Sequence, residues 1–149
     1  MRQLAHEGLR GSPQGGAAAI WGLNQGAYLH KADTWPHNPQ GELIFGIKIE
    51  DVHADANVDA TMAVPGITMA EWGPGDHAYS LYGLEAFPED DRSMGELAAR
   101  PEMVKVRQRV VDLCKKNGLR FLNAARANDN SVDRVIRQLK AGAMVLEYA

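Results

Sequence analysis

From residue 43 onward, the chain alternates between strand-like and helix-like segments, and this alternation most constrains the fold. Apolar runs of strand character begin near residues 43, 67, 119 and 143, and helical patterns separate them. A helix between two strands favours parallel pairing, because it returns the chain to the same end of the sheet. The pattern therefore predicts an α/β fold of successive βα units around a parallel sheet.

The helical segments carry their own start and stop signals. After the strand 43–49, Pro65-Gly66 ends a helix whose apolar face comprises Val52, Ala56, Ala60 and Ala63. Pro101 suits the first turn of a helix that Asn117-Gly118 ends, with a buried stripe of Met103, Val106, Val110 and Cys114. A last amphipathic helix, before the strand 143–148, has the stripe Val132, Val135, Ile136 and Leu139.

Two segments lack a clear periodic pattern. Residues 73–100 contain glycine, proline and an acidic run, which predicts a surface loop with one short helical turn. Residues 11–41 are rich in Gly, Pro, Asn and Gln and contain one candidate helix around 17–29, while residues 4–10 fit the end of a helix and a short strand. Such a long loop usually has a function or contacts a partner.

Two carboxylates follow two of the predicted strands at the point where each strand ends. Glu50 comes directly after the strand 43–49, and Asp76 follows the strand 67–72. The carboxyl ends of parallel strands meet at one edge of the sheet, so these side chains converge if the strands are neighbours. Two like charges at close range are unfavourable without a cation between them, and oxygen ligands favour Mg²⁺ or Mn²⁺. The spacing thus indicates a divalent metal site.

The same residues also have an interpretation without chemistry. Glu50 can be a carboxylate at a helix N-terminus, and Asp76 can be an ordinary turn residue. Gly73 and Gly75 leave the backbone bare, so that N–H groups there could reach a carboxylate on a ligand. Spacing alone leaves these interpretations open.

Composition excludes several classes of function. Sixteen basic and nineteen acidic residues give a net charge of -3, which argues against general binding of nucleic acid. No apolar run reaches the roughly 18 residues of a membrane span, and the first seven residues lack the apolar core of a secretory signal. The single cysteine, Cys114, excludes an intrachain disulfide. We therefore expect a cytoplasmic protein that binds neither nucleic acid nor membranes.

Three groups of residues form a more specific pattern. They are Ile47-Lys48-Ile49-Glu50, Val64-Pro65-Gly66-Ile67, and Trp72-Gly73-Pro74-Gly75-Asp76 with the later Ser80-Leu81. This pattern resembles the HpcH/HpaI aldolase family, which is related to citrate lyase β subunits. In that family a strand ends in Glu, and a helix, a turn and a strand lead to Gly-Pro-x-Asp-x-x-x-Ser-Leu. The resemblance covers nearly the whole chain, including Gly8-Leu9-Arg10-Gly11 and Ala141-Gly142-Ala143.

The resemblance implies roles for particular residues. Glu50 and Asp76 would be the two protein ligands of the divalent metal, and the backbone of Gly73, Gly75 and Asp76 would line the carboxylate of pyruvate. Lys48 faces the same side as Glu50, at a place where well-known members carry Gln near the substrate. It would pair with Glu50 or with the substrate, or simply fill the barrel interior.

His77 and Trp72 flank the glycine sequence. His77 takes a place that is usually apolar in the family, so we expect it to pack locally rather than to bind the metal. Trp72 would either line the substrate site or lie in the hydrophobic core.

The family consists of class II pyruvate aldolases, so the resemblance implies an enzyme that acts as a carbon–carbon lyase. A 4-hydroxy-2-keto acid would be cleaved to pyruvate and an aldehyde, with Mg²⁺ or Mn²⁺, or Co²⁺ as a third candidate, stabilising the pyruvate enolate. The implied partner is a small-molecule 2-keto acid, and full-length members form homo-oligomers, trimers or hexamers. The alternatives are a citryl- or malyl-CoA-type lyase of the same superfamily and a non-catalytic binding or assembly module.

The family fold is a (β/α)₈ TIM barrel, which takes roughly 250 residues. This chain has 149, so the resemblance implies that residues 1–149 form a single incomplete barrel domain, the C-terminal portion. The family's catalytic His and its substrate-binding Arg would lie in the missing N-terminal part, and no residue here matches either. We expect such a fragment to be inactive alone, and to aggregate or pair with a complementary piece through its open sheet edges.

Overall fold

The computed structural model describes residues 16–87, 94–125 and 132–148, and the chain divides into two compact units. The first comprises residues 1–45 and 64–68, and the second comprises residues 46–63 and 69–149. The predictions for residues 4–10 and for Gly8-Leu9-Arg10-Gly11 lie outside the described residues.

The first unit contains two short helices and two short parallel strands. Its elements are α1 (Ala17–Ile20), α2 (Gln25–Lys31), β1 (Thr34–Trp35) and β2 (Leu43–Ile44). The Asn24 side chain accepts a hydrogen bond from the N–H of Ala27 and so caps α2. The helix expected around 17–29 is therefore two helices, and the candidate loop 11–41 contains regular structure over much of its length.

The second unit is built on a four-stranded parallel sheet. Its strands are β3 (Gly46–Ile49), β4 (Met69–Trp72), β5 (Arg120–Ala125) and β6 (Val145–Tyr148), in the spatial order β3-β4-β5-β6. Each pair of neighbours is parallel, and helices connect them. The predicted α/β fold of successive βα units is confirmed.

The helices of this unit are α3 (Val52–Ala56), α4 (Val58–Met62), α5 (Pro74–Tyr82), α6 (Met94–Ala98), α7 (Pro101–Asn117) and α8 (Val132–Lys140), with a 3₁₀ turn at Gly83–Ala86. In the described part of the chain, no helix has the length and apolar character needed to cross a bilayer.

The long helix α7 follows its sequence signals closely. Pro101 occupies its first turn, and Gly118 ends it in the left-handed conformation that glycine adopts readily. Its buried residues are Met103, Val110, Val111, Leu113 and Cys114. They pack beside Phe121 of β5 and Ala70 of β4, which are also buried. The core of the second unit thus lies between α7 and the sheet.

Three local predictions were wrong. The helix expected over 52–63 is interrupted at Asn57, and the residues it buries are Val58 and Met62 instead of the alanine face. The expected loop 73–100 contains α5, the 3₁₀ turn and α6. Pro74 opens α5, because a proline at the first helical position fixes φ and lacks only an N–H that would have no partner in the helix.

Two further segments are less buried than their patterns suggest, and the first of them does not form the single strand that was expected. The run 43–49 is divided at Phe45 into β2 and β3, and Ile44 and Phe45 are exposed. Helix α8 forms, yet Val132, Ile136 and Leu139 are exposed. Among the described residues, both segments therefore expose apolar side chains to solvent.

Candidate active site

The register of the two strands β3 and β4 places the first predicted ligand beside the glycine sequence. Ile49, the last residue of β3, pairs with Trp72, the last residue of β4. The residues that follow them, Glu50 and Gly73, therefore lie at the same carboxyl edge of the sheet. The N–H of Gly73 donates to the carbonyl of Ile49 at 3.2 Å, which continues the ladder past the strand ends. Parallel α/β folds form their active sites at this edge.

The side chain of Glu50 lies directly on the α-carbon of Gly73. A β-carbon added to Gly73 would stand 2.2 Å from Oε1 of Glu50 and 2.6 Å from its Cγ. These separations are far below van der Waals contact, so any other residue at this position would force Glu50 into a different side-chain conformation. The φ of Gly73 is -93°, which any residue adopts, and the requirement for glycine at this position is therefore one of space.

A lysine and a second glutamate complete a charged cluster around Glu50. Lys48 Nζ lies 3.3 Å from Oε1 of Glu50 and 3.3 Å from Oε2 of Glu71. Glu71 is the pairing partner of Lys48 across the two strands, and its side chain is only 9% exposed. The hydrogen bond to Glu50, followed by the charge of Glu71, raises the pKa of Lys48 above its usual value. Lys48 is therefore held as an ammonium ion.

Asp76 lies in the first turn of α5, three residues after Gly73. Pro74 has no N–H, and the N–H groups of Gly75 and Asp76 belong to the first turn, where a helix supplies no acceptor. A β-carbon on Gly75 would meet no atom within 4 Å, so the backbone there is open. The helix start thus presents N–H donors and one exposed carboxylate after the end of β4.

Glu50 directly precedes a helix, and the N-cap of that helix is the next residue. Asp51 is the N-cap of α3, and its Oδ1 accepts from the N–H groups of His53 and Ala54 at 2.8 and 2.7 Å. These hydrogen bonds lower the pKa of Asp51. The Glu50 side chain itself contacts Lys48 and lies against Gly73.

Sequence reasoning missed two residues that organise this edge. Ser80 Oγ accepts from the N–H of Val52 at 3.1 Å and so links α5 to the start of α3. Its signal was its place in the Ser-Leu pair of the motif. Glu71 had no local signal, because its contact with Lys48 depends on the register between β3 and β4.

His77 is buried behind the start of α5, as the packing interpretation predicted. It is 1% exposed, and its Nδ1 has no hydrogen-bond partner in the described residues, nor does Nε1 of Trp72. The ring centroids of the two residues are 6.4 Å apart. Burial lowers the pKa of His77, against the opposing charges of Asp55 and Asp51. Both side chains are core residues.

A cavity of about 290 Å³ lies among α3, α5 and α7, apart from the strand ends. His77, Asp55 and Arg109 are among its lining residues, and none of the predicted site residues is. Arg109 is already paired with Asp55 and Asp59, at 3.2 and 2.6 Å. The cavity belongs to the helical layer, and the candidate chemistry lies at the sheet edge.

Two of the predicted site residues at the sheet edge carry side chains of the type that hard divalent cations take as ligands. Glu50 and Asp76 offer carboxylate oxygens, and Mg²⁺ or Mn²⁺ commonly takes one or two such ligands and completes its shell with water and substrate oxygens. Among residues 16–87, 94–125 and 132–148, no group of three or more His, Cys, Asp or Glu is placed to hold a metal.

The four parallel strands of the second unit and their connecting helices are consistent with part of a (β/α)₈ barrel. Sequence comparison alone gives no relative, because no family model and no curated protein matches the chain.

Solved structures do match the fold. An HpcH/HpaI aldolase/citrate lyase family protein from Burkholderia cenocepacia J2315 is 23% identical, with a TM-score of 0.64 over 95% of this chain and 47% of its own. An HpcH/HpaI aldolase from Desulfitobacterium hafniense DCB-2 is 16% identical, with a TM-score of 0.54 over 99% and 44%. Macrophomate synthase is 22% identical, with a TM-score of 0.55 over 79% and 38%.

The predicted resemblance to HpcH/HpaI aldolases is therefore confirmed for the fold. The chain spans less than half the length of each of these structures. At these identities the similarity establishes the architecture alone.

Proposed function

We propose that this chain carries the metal- and pyruvate-binding part of a divalent-metal-dependent aldolase. The reaction is cleavage of a 4-hydroxy-2-keto acid to pyruvate and an aldehyde. The observation that carries the proposal is the Glu50 carboxylate lying against Gly73, next to the helix start that bears Asp76. This carboxylate lies at the carboxyl edge of a parallel sheet, which is where βα barrels form their active sites.

Each residue of the edge has a defined task in this proposal. Glu50 and Asp76 hold the cation, and Mg²⁺ or Mn²⁺ would supply Lewis-acid stabilisation of the charge that develops on the keto oxygen. The N–H groups of Gly75 and Asp76 bind the carboxylate of pyruvate, since the start of a helix attracts anions. Ser80 and Asp51 fix the adjoining start of α3 and thereby the position of Glu50.

Proton transfer is assigned to residues beyond these. In the family that the sequence resembles, an acid/base His and a substrate-binding Arg are expected in the N-terminal part of the barrel, and no residue of 1–149 is assigned either role. The chain alone is accordingly proposed to bind the ion and pyruvate, and turnover is proposed for a completed barrel, as a homo-oligomer.

Binding of Mn²⁺ tests the proposal directly. Titration followed by electron paramagnetic resonance should show one site per chain, and added pyruvate should alter the water relaxation of bound Mn²⁺. Asp76→Asn should abolish the site, whereas Asp112→Asn, which removes a carboxylate from the exposed side of α7, should leave it intact. Equal Mn²⁺ binding by the chain and by Asp76→Asn would refute the ligand assignment.

The same titration separates the substrate classes. A response to pyruvate, and none to an acyl-CoA thioester, is expected of a keto acid aldolase. The reverse response would favour the citryl- or malyl-CoA-type lyase. A chain that binds Mn²⁺ but neither compound would be a non-catalytic module.

A further inference from the structure

The cavity of about 290 Å³ among α3, α5 and α7 takes no part in the proposed function. Its volume lies at the lower end of the range for small-molecule sites, about 300 to 1,000 Å³, so it has room for a small ligand. Three aliphatic side chains, Val52, Leu81 and Val106, are among those that line it. Val52 and Leu81 are 36% and 39% exposed, so the cavity presents an apolar wall to solvent.

Two of the charged side chains that line the cavity compensate each other. Arg109 lies 3.2 Å from Oδ1 of Asp55, and its second terminal nitrogen lies 2.6 Å from Oδ2 of Asp59. The hydrogen bond with Asp59 is the main cause of the raised pKa of Arg109. This guanidinium is therefore engaged by carboxylates of the protein itself and is not the group that would attract a ligand.

The other two charged side chains of the cavity, Glu102 and Lys105, belong to no ion pair in the described part of the chain. Glu102 accepts a hydrogen bond through Oε1 from the hydroxyl of Tyr82, which is neutral. Lys105 has neither a carboxylate nor a hydrogen-bond partner there. The two residues are three positions apart on α7, so they are neighbours on one face of the helix. A carboxylate and an ammonium thus stand side by side at the cavity without binding each other.

We propose that this cavity binds an apolar α-amino acid as a zwitterion. The ammonium of the ligand contacts Glu102, and its carboxylate contacts Lys105. Its aliphatic side chain lies against the wall of Val52, Leu81 and Val106. Glu102 and Lys105 are exposed whereas Val106 is half-buried, so the charged end of the ligand faces solvent and the apolar end points inward. This site is separate from the sheet edge and does not depend on the proposed function.

Ligands with a single charge fit the cavity less well. An aliphatic carboxylate beside Lys105 would stand next to the uncompensated charge of Glu102, and an alkylamine beside Glu102 would stand next to that of Lys105. Like charges at close range are unfavourable. A zwitterion places an opposite charge against each of the two side chains.

The position of the site gives the ligand an effect on the sheet edge. Val52 and Leu81 adjoin the hydrogen bond of 3.1 Å from the N–H of Val52 to Ser80 Oγ, which links α3 to α5. Glu50 precedes α3, and Asp76 lies in the first turn of α5. A ligand that contacts both sides of this link stabilises it and should raise Mn²⁺ affinity a few-fold, with the same factor for leucine when Mn²⁺ is bound. This effect alone rests on the proposed function.

Amide NMR titrations with L-leucine test the site, and isocaproate and isoamylamine are the two singly charged analogues. Leucine should shift the amide signals of Val52, Leu81 and Val106. It should bind about fivefold more tightly than either analogue, because a contact between exposed charges contributes up to about fivefold.

Two variants assign the charged contacts. Lys105→Gln should weaken binding of leucine and isocaproate about fivefold without weakening that of isoamylamine. Glu102→Gln should weaken leucine and isoamylamine without weakening isocaproate. Lys116→Gln is the matched control, because Lys116 is an exposed lysine in the last turn of the same helix and does not line the cavity. Circular dichroism melts of every variant show whether folding is intact.

The outcomes separate the site from the proposed function. Equal affinities for leucine and isocaproate, or shifts confined to residues outside the cavity, would overturn the amino-acid site. If leucine binds as expected and Mn²⁺ affinity does not respond to it, the site stands and its effect on the sheet edge is refuted. Leucine binding by a chain that binds no Mn²⁺ would refute the proposed function and support the site.

Discussion

Replacing Gly73 by alanine tests the central geometry of the site with one added methyl group. The new β-carbon would lie 2.2 Å from Oε1, 2.6 Å from Cγ and 2.8 Å from Cδ of Glu50. Ordinary contact begins near 3.4 Å, so the oxygen must retreat by about 1.2 Å. Because Cγ also clashes, bending the end of the side chain is insufficient, and Glu50 must rotate about its first side-chain torsion away from the edge.

The expected effects on stability and on binding differ in size. Alanine can adopt the φ of Gly73 without strain. Rotating the Glu50 side chain costs about 1 kcal/mol, and the lower conformational entropy of the unfolded Gly73→Ala chain offsets that cost. The free energy of unfolding should therefore change by less than about 2 kcal/mol. Loss of the positioned carboxylate should lower Mn²⁺ affinity by about 10- to 100-fold, the usual effect of disturbing the support of a ligand.

The assay combines a urea unfolding curve with a Mn²⁺ titration, and Gly75→Ala is the matched control. Gly75 follows two residues later at the same helix start, and its β-carbon would meet nothing within 4 Å. It retains the N–H, so Mn²⁺ affinity should stay unchanged. Equal Mn²⁺ affinities for Gly73→Ala and Gly75→Ala would refute the reasoning, because the Glu50 conformation against Gly73 would then be irrelevant to binding.

Three further predictions concern single residues. Asp76→Asn should abolish Mn²⁺ binding and change the free energy of unfolding by less than about 1 kcal/mol, since Asp76 is exposed; urea unfolding measures the second quantity. His77→Leu should raise stability by about 1 kcal/mol by removing a buried nitrogen that has no hydrogen-bond partner among the described residues. The pKa of His77 is lowered in the folded chain, so below about pH 6.5 the imidazole takes up a proton mainly in the unfolded chain. The free energy of unfolding of the unchanged protein should therefore fall between pH 7.5 and 5.5. It should fall less steeply in His77→Leu, which has no imidazole to protonate. Burial raises the pKa of Cys114 to about 11, so a disulfide reagent at pH 8 should label this thiol only after urea unfolds the chain, and fast labelling without urea would contradict its burial.

Much of the fold could be predicted because its signals are local. Pro101 and Gly118 delimit α7 through their own backbone preferences, and the apolar stripe of α7 is readable at a period of 3.6 residues. At Pro74 the local signal gave a wrong prediction. A proline between two glycines suggested a loop, whereas Pro74 is the first residue of α5. Helix α3 ends at Asn57, although the apolar pattern of the sequence continues through this position. The following helix, α4, buries Val58 and Met62 in the core rather than the alanines of the predicted face.

The sequence by itself determined the parallel βα order and the placement of Glu50 after one strand and Asp76 after the next. Both follow from interactions between near neighbours along the chain, which sterics and hydrogen bonding restrict to a few conformations. Only the tertiary structure decided that Glu50 lies on Gly73 and that Lys48 is shared with Glu71. Those contacts depend on the register of β3 against β4, and a shift of one residue would turn the side chains to the other face. The register is fixed by packing of the whole sheet against its helices, which no short segment of sequence contains.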